Sequence, residues 1–157
     1  FKNINYNSIG IELVNKGHKF GYQSFTKPQI LSLIKLCKKL KNKYHISNSN
    51  IIGHSDIAPL RKQDPGEKFP WKKLNKNNLG IWYKTSKLKF FKKNLKNFNY
   101  LFFNNLHKIG YRYLNNKEKK KKIYLIKAFQ RHFFPQNVTG IIDEKTYIIS
   151  HFLAKKS

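Results

Sequence analysis

The stretch Gly53-His54-Ser55-Asp56-Ile57-Ala58-Pro59-Leu60-Arg61-Lys62-Gln63-Asp64-Pro65-Gly66 constrains this chain more than any other segment. Pro59 and Pro65 each lock a backbone φ and remove a donor, while Gly53 and Gly66 admit turns that other residues resist. Such a segment cannot continue a strand or a long helix, so it reads as a stiff loop between regular elements. It also concentrates a scarce chemical resource. The chain holds 33 Lys+Arg against 7 Asp+Glu, and Asp56, Asp64 and Glu67 fall in or beside this one loop. Carboxylates gathered around His54 suit a divalent-metal or proton-transfer site.

A chain of 157 residues is one medium domain or two small ones. Its 39% hydrophobic and 15% aromatic content supports a packed core and argues against wholesale disorder. No apolar run approaches the roughly 18 residues of a membrane span. The sequence opens at Phe1 on a polar stretch, with no Met and no signal peptide, and reads as a fragment or a processed product. A single cysteine, Cys37, excludes an internal disulfide and a multi-cysteine zinc site. The net charge of +26 invites a nucleic-acid reading. Against it, Lys far outnumbers Arg, the lysines are spread along the chain, and Asn, Ile, Phe and Tyr are frequent, a bias that AT-rich codons produce. The charge therefore supports attraction to an anionic polymer such as a cell wall and points to no specific nucleic acid.

Two short strands are expected in the first half. Ile9–Val14 is nearly continuous, apolar and β-branched, interrupted by Glu12; Ile51-Ile52-Gly53 delivers His54. An acid inside an apolar strand is either functional or a strand-end carboxylate pointing to solvent. Between the strands, Thr26 caps a helix, Gln29 completes a capping box and Pro28 fits the first turn. Ile30, Leu33, Ile34, Cys37 and Leu40 form its apolar stripe, with Cys37 as a small core residue, and Lys35, Lys38, Lys39, Lys41 and Lys43 line the opposite face. The helix ends near Tyr44-His45. Phe69-Pro70-Trp71-Lys72-Lys73-Leu74 reads as an aromatic anchor and one helical turn, and residues 75–80 are polar and turn-like, with a domain boundary between about Asn75 and Ser86.

The remainder reads as three helices. Phe90, Phe91, Leu95, Phe98, Leu101 and Phe102 cluster in the first, which ends at Gly110. Lys117–Phe133 is the second, with Ile123, Leu125, Ile126, Phe129 and Phe133 on its inner face, stopped by Phe134-Pro135. Asp143-Glu144 starts the third, with acids where the helix dipole favours them. His107, His132 and His151 read as helix or surface residues.

His54 and Asp64 offer zinc one nitrogen and one hard oxygen, ten residues apart in a loop that can bring them together. A surface hydrogen bond is the plain alternative. Lys62 could stabilise a developing oxyanion, and Glu12 could take a proton from water. Three blocks then carry a resemblance: Ser8-Ile9-Gly10-Ile11-Glu12-Leu13, the Gly53–Gly66 loop, and Phe69-Pro70-Trp71. Together they resemble the zinc-dependent N-acetylmuramoyl-L-alanine amidases of the amidase_2 group. The order of elements is similar to the two-domain AmiD type, whose helical domain is peptidoglycan-binding-like; Ala128-Phe129-Gln130-x-His132-Phe133-x-Pro135 resembles its signature helix.

The resemblance implies an α/β fold: a mixed sheet flanked by helices over residues 1–82, lacking its N-terminal strands, followed by a small three-helix bundle over residues 86–157. It implies Zn2+ held by His54 and Asp64, Lys62 stabilising the tetrahedral intermediate, and Glu12 activating water. The implied reaction cleaves the amide between N-acetylmuramic acid and L-alanine of the stem peptide, with peptidoglycan or muropeptides as partner in the periplasm or cell envelope. The family's first zinc histidine lies on a strand upstream of the Ser8–Leu13 block, so the chain resembles the C-terminal two-thirds of such an enzyme. His18 is the conceivable substitute ligand. The rival readings are a non-catalytic peptidoglycan-binding protein, which needs no zinc, and a basic nucleic-acid-binding protein resting on charge.

Overall fold

In the computed structural model, residues 4–84, 98–114 and 118–155 are described. Helix α1 spans Lys27–Tyr44. Its start follows from local chemistry: the Thr26 hydroxyl accepts the Gln29 N–H, the Gln29 side chain accepts the Thr26 N–H at 2.9 Å, and a proline occupies the first turn. His45 closes it in the left-handed conformation, φ 52°, donating its N–H to the Lys41 carbonyl. Ile30, Leu33 and Ile34 are buried against Phe69, Trp71, Leu74 and Leu79. Half-buried Cys37 packs on the same cluster, and burial pushes its thiol pKa up, so it behaves as a small apolar filler. Short 3-10 turns occupy Ile4–Asn7, His18–Phe20 and Asn48–Asn50.

The loop, expected without regular structure, holds a single helical turn, α2, at His54–Ile57. The aromatic anchor opens the expected helical turn as a short helix, α3, at Trp71–Lys76. The expected mixed sheet does not form: among the described residues there are helices and turns and no strand. Ile9–Val14 and Ile51–Gly53 lack regular secondary structure, and no backbone ladder joins either to another described segment. An apolar, β-branched run favours extended backbone, but a strand also needs a neighbour at hydrogen-bonding distance, which local sequence does not supply. Leu13 packs on the α1 cluster, while Ile9, Ile11 and Val14 are 49%, 37% and 90% exposed.

The second half agrees with the three helices expected. They are α4 Phe98–Ile109, α5 Lys119–Phe133 and α6 Glu144–Ala154. Phe90, Phe91 and Leu95 lie outside the described residues. Gly110, at φ 108°, ends α4, and its N–H returns to the Leu106 carbonyl. Asp143 caps α6, accepting the Thr146 N–H at 2.6 Å. The core joins Phe102 and Leu106 of α4, Leu125, Phe129 and Phe133 of α5, and Ile149 and Leu153 of α6. Trp82, between the two halves in sequence, packs on both this cluster and the α1 cluster.

One polar side chain organises the α5–α6 connection. Gln130 is fully buried. Its amide nitrogen donates to the Ile141 carbonyl at 2.8 Å and to the Thr146 hydroxyl at 3.2 Å, and its oxygen accepts the Gly140 N–H at 2.8 Å. Gly140 stands at φ 78°, where a Cβ would come within 2.8 Å of Ile123, so the turn tolerates only glycine. Gln130→Leu keeps the volume but strands the Gly140 N–H and the Ile141 carbonyl. We expect it to destabilise the fold by about 1–3 kcal/mol, read by urea denaturation; an unchanged midpoint would contradict this account.

Candidate active site

Helix α2 presents His54 at the start of the loop, and the loop returns to set Asp64 beside it. The Ser55 N–H donates to the Asp64 carbonyl at 2.9 Å, tying the two arms together. The side chains meet as well, His54 Nδ1 lying 2.9 Å from Asp64 Oδ2. Both are open to solvent, with side-chain exposures of 40% and 58%. The sequence-predicted pair is thus brought together. Lys62 is half-buried, its N–H bonded to the Ala58 carbonyl, and no acid pairs with its ammonium among the described residues. Glu12 stands exposed on the unpaired Ile9–Val14 segment, with no hydrogen bond or ion pair to the His54–Asp64 couple.

Zinc ligands at about 2.0–2.2 Å in tetrahedral array lie roughly 3.2–3.6 Å apart. The His54–Asp64 couple therefore fits a zinc ion after a small opening, with the ion replacing the shared proton. It supplies two ligands. No group of three His, Cys, Asp or Glu side chains gathers among the described residues. His18, the conceivable substitute, is engaged elsewhere: its Nε2 lies 2.9 Å from Glu67 Oε2, and its ring stacks on Tyr22 at 4.4 Å.

A second cluster braces the far arm of the loop. Tyr22 donates its hydroxyl to the Pro65 carbonyl at 2.7 Å and accepts the Lys68 N–H. Burial is the main reason its pKa is pushed up to about 12, so it remains a donor across the physiological range. A Cβ on Gly66, at φ 83°, would sit 2.6 Å from that hydroxyl, so glycine is required there. From α5, Arg131 donates to Gln63 at 3.2 Å, and its Nε lies 3.9 Å from Glu67, a charge contact too long for a hydrogen bond. Partial burial opposes ionisation of Glu67, but the hydrogen bond from His18 and the charges of His18 and Arg131 outweigh it and hold its pKa below the usual carboxylate value.

The residue that sequence reasoning left without a role is Asp56. It is 8% exposed and accepts three hydrogen bonds: Gly53 N–H at 2.8 Å, Tyr111 hydroxyl at 2.6 Å and His132 Nδ1 at 2.7 Å. His132, expected as a helix or surface residue, is on a helix but is 2% exposed, stacked between Trp71 and Phe133 at ring separations of 3.9 Å. Its burial follows from a position on the inner face of α5, where Ala128, Phe129 and Phe133 already mark the buried stripe. Tyr111 is fully enclosed; burial, then the charge and hydrogen bond of Asp56, raise its pKa well above the ordinary tyrosine value and keep it a donor.

With this geometry in view, comparison with known proteins is informative. The profile of the family described as N-acetylmuramoyl-L-alanine amidase (Amidase_2) matches residues 2–67, which include Glu12, His54, Lys62 and Asp64. The chain is 33% identical over 162 aligned positions to N-acetylmuramoyl-L-alanine amidase AmiD of Escherichia coli K12, covering 98% of this chain and 59% of that protein. It thus spans about three-fifths of the relative's length. Among solved structures, it is similar to E. coli AmiD in complex with anhydro-N-acetylmuramic acid-L-Ala-D-γ-Glu-L-Lys: TM-score 0.78, 32% identity, 87% of this chain and 55% of that one. It is also similar to AmpDh3 of Pseudomonas aeruginosa in complex with anhydromuramic pentapeptide: TM-score 0.79, 31% identity, 87% and 56% covered. The similarity to N-acetylmuramoyl-L-alanine amidases thus has two levels: an Amidase_2 match at residues 2–67, and a likeness to AmiD that runs over nearly the whole chain.

Proposed function

We propose that this protein is a zinc-dependent N-acetylmuramoyl-L-alanine amidase of the bacterial cell envelope, acting on peptidoglycan or its muropeptides. The observation that carries the reading is the convergence of His54 and Asp64, 2.9 Å apart, in a loop within the family-matched residues. In this reading His54 and Asp64 hold the ion. Bound zinc supplies Lewis acidity to the amide carbonyl and to water. Glu12 takes the proton from the attacking water, and Lys62 balances negative charge on the former carbonyl oxygen. Water adds to the carbonyl carbon of the lactyl group, the C–N bond to L-alanine breaks, and the proton held by Glu12 passes to the leaving amine. The solved complexes of AmiD and AmpDh3 with anhydromuramyl peptides support this substrate class.

We propose further that residues 1–82 form the amidase part and residues 86–157 a peptidoglycan-binding part. Two apolar clusters, which share Trp82 at their margin, support the division. On the helical part a groove of about 880 Å³ is lined by Tyr100, Phe103, His107, Lys119, Lys122 and Ile141 among others. Aromatic faces suit sugar rings, and lysines suit the free carboxylates of stem peptides. No helix among the described residues is long and apolar enough to cross a membrane.

A second reading, a peptidoglycan-recognition protein without hydrolysis, is favoured by the exposed Glu12 and by a described ligand set of two. Zinc distinguishes them. With two ligands among the described residues, the 157-residue chain alone is expected to bind Zn2+ weakly and to release little L-alanyl peptide. Asp64→Ala should abolish the weak calorimetric signal. Tight binding of one zinc with chelator-sensitive peptide release would reveal a third ligand, and His18 would be the first residue to substitute.

The base is tested separately. In the protein carrying its complete ligand set, Glu12→Gln should lower turnover by roughly 10²–10⁴-fold with zinc content unchanged. Turnover near wild type would remove Glu12 from the reaction. For the groove, Tyr100→Ala should leave soluble muropeptide cleavage intact and reduce co-sedimentation with sacculi. Unchanged sedimentation would move the wall contact elsewhere.

A further inference from the structure

We propose that His132 and Tyr111, both from the helical part, are positioning residues for the His54–Asp64 pair, acting through the buried carboxylate of Asp56. The proposal rests on the zinc reading of that pair. Asp56 is the third residue of α2, and its Oδ2 accepts the Gly53 N–H, closing the turn on which His54 sits. Among the described residues the donors that keep this carboxylate inward are few. Besides Gly53, they are Tyr111, on Oδ1 at 2.6 Å, and His132, on Oδ2 at 2.7 Å. Both come from the other half of the chain, 55 and 76 residues away. Without them a buried carboxylate lacks the hydrogen bonds that offset its desolvation, and it turns to water. The Gly53–Asp56 bond then opens, the α2 turn loosens, and His54 loses its fixed direction toward Asp64.

The environment of His132 argues for a directional role beyond packing. The ring is clamped between Trp71 and Phe133, with interplanar angles of 14° and 11°. Its Nε2 is buried with no hydrogen-bond partner among the described residues. A residue selected for packing alone would be phenylalanine or leucine, which strand no polar atom. The histidine is explained by its Nδ1–H, which meets Asp56. Outer partners of this kind orient metal ligands and tune affinity even though they never touch the ion.

Three substitutions in the whole 157-residue chain separate positioning from packing. His132→Phe retains an aromatic ring between Trp71 and Phe133 and removes the donor. His132→Asn retains an N–H near the Nδ1 position. Tyr111→Phe removes one hydroxyl. Each is read by Zn2+ titration and, without metal, by the His54 ring signals in ¹H–¹³C NMR spectra, with circular dichroism and thermal melting as fold controls. His132→Phe and Tyr111→Phe are expected to fold, to shift the His54 signals and to weaken Zn2+ binding about 10–100-fold, with His132→Asn recovering most of that loss. A folded His132→Phe with wild-type His54 signals and zinc affinity would overturn the proposal, as would a His132→Asn variant no better than His132→Phe. If the His132 variants do not fold, Tyr111→Phe decides by the same two readouts. If the parent chain takes up no zinc, or His54→Ala takes it up equally well, the ligand assignment fails, and the metal-free His54 signals alone decide whether Asp56 and its donors position that ring.

Discussion

A carboxylate that is 8% exposed must be hydrogen-bonded from within the protein, and in this chain the carboxylate of Asp56 is where the two halves meet. The chain has 33 Lys+Arg, yet among the described residues none of them satisfies it. A backbone N–H, a phenol and an imidazole do so instead, each at 2.6–2.8 Å. A lysine or arginine in that place would bring its own desolvation cost and a long side chain to order. Gly53, Tyr111 and His132, all buried, already have their conformational freedom removed by the packing around them. The arrangement places a polar junction between two apolar clusters without leaving the carboxylate unsatisfied.

Helix α5 grips the loop at both ends through consecutive residues. His132 reaches Asp56 near the start, and Arg131 reaches Gln63 and Glu67 near the end. Between these two holds lie Pro59 and the turn that carries Lys62, while the Ser55–Asp64 backbone bond pulls the arms together. The solvent-open His54–Asp64 couple thus sits on a frame anchored by the buried side chains of Asp56, Arg131 and His132. On the proposed zinc reading, this division would let an ion enter from solvent while its ligands keep one geometry.

Much of this was legible in the sequence, for reasons that are local. The α1 boundaries follow from Thr26, Pro28 and Gln29, and the ends of α4 and α6 from Gly110 and Asp143, because caps and left-handed turns are decided within a few residues. The pairing of His54 with Asp64 was legible because two prolines and two glycines leave a short loop few ways to turn. The missing sheet was not legible: Ile9–Val14 has the composition of a strand, but pairing depends on residues far away in sequence. The role of Asp56 was hidden for the same reason, since its partners lie 55 and 76 positions downstream. A hint existed in His132, a histidine amid the apolar stripe of α5, where a polar ring must find a partner or remain orphaned.

The unpaired Ile9–Val14 segment bears on how copies of this protein behave toward one another. Among the described residues no backbone ladder covers it, and although the Val14 carbonyl accepts Gln29 Nε2, the segment sets extended backbone beside solvent-facing Ile9, Ile11 and Val14, the kind of edge to which another polypeptide adheres. What opposes such adhesion is the net charge of +26, a mutual repulsion acting over the whole surface. That repulsion has a range of about 30 Å in 0.01 M salt and about 8 Å at physiological ionic strength. Colloidal behaviour is therefore set by the ionic medium: dilute buffer keeps the copies apart, and added electrolyte or a polyanion lets the sticky edges find each other.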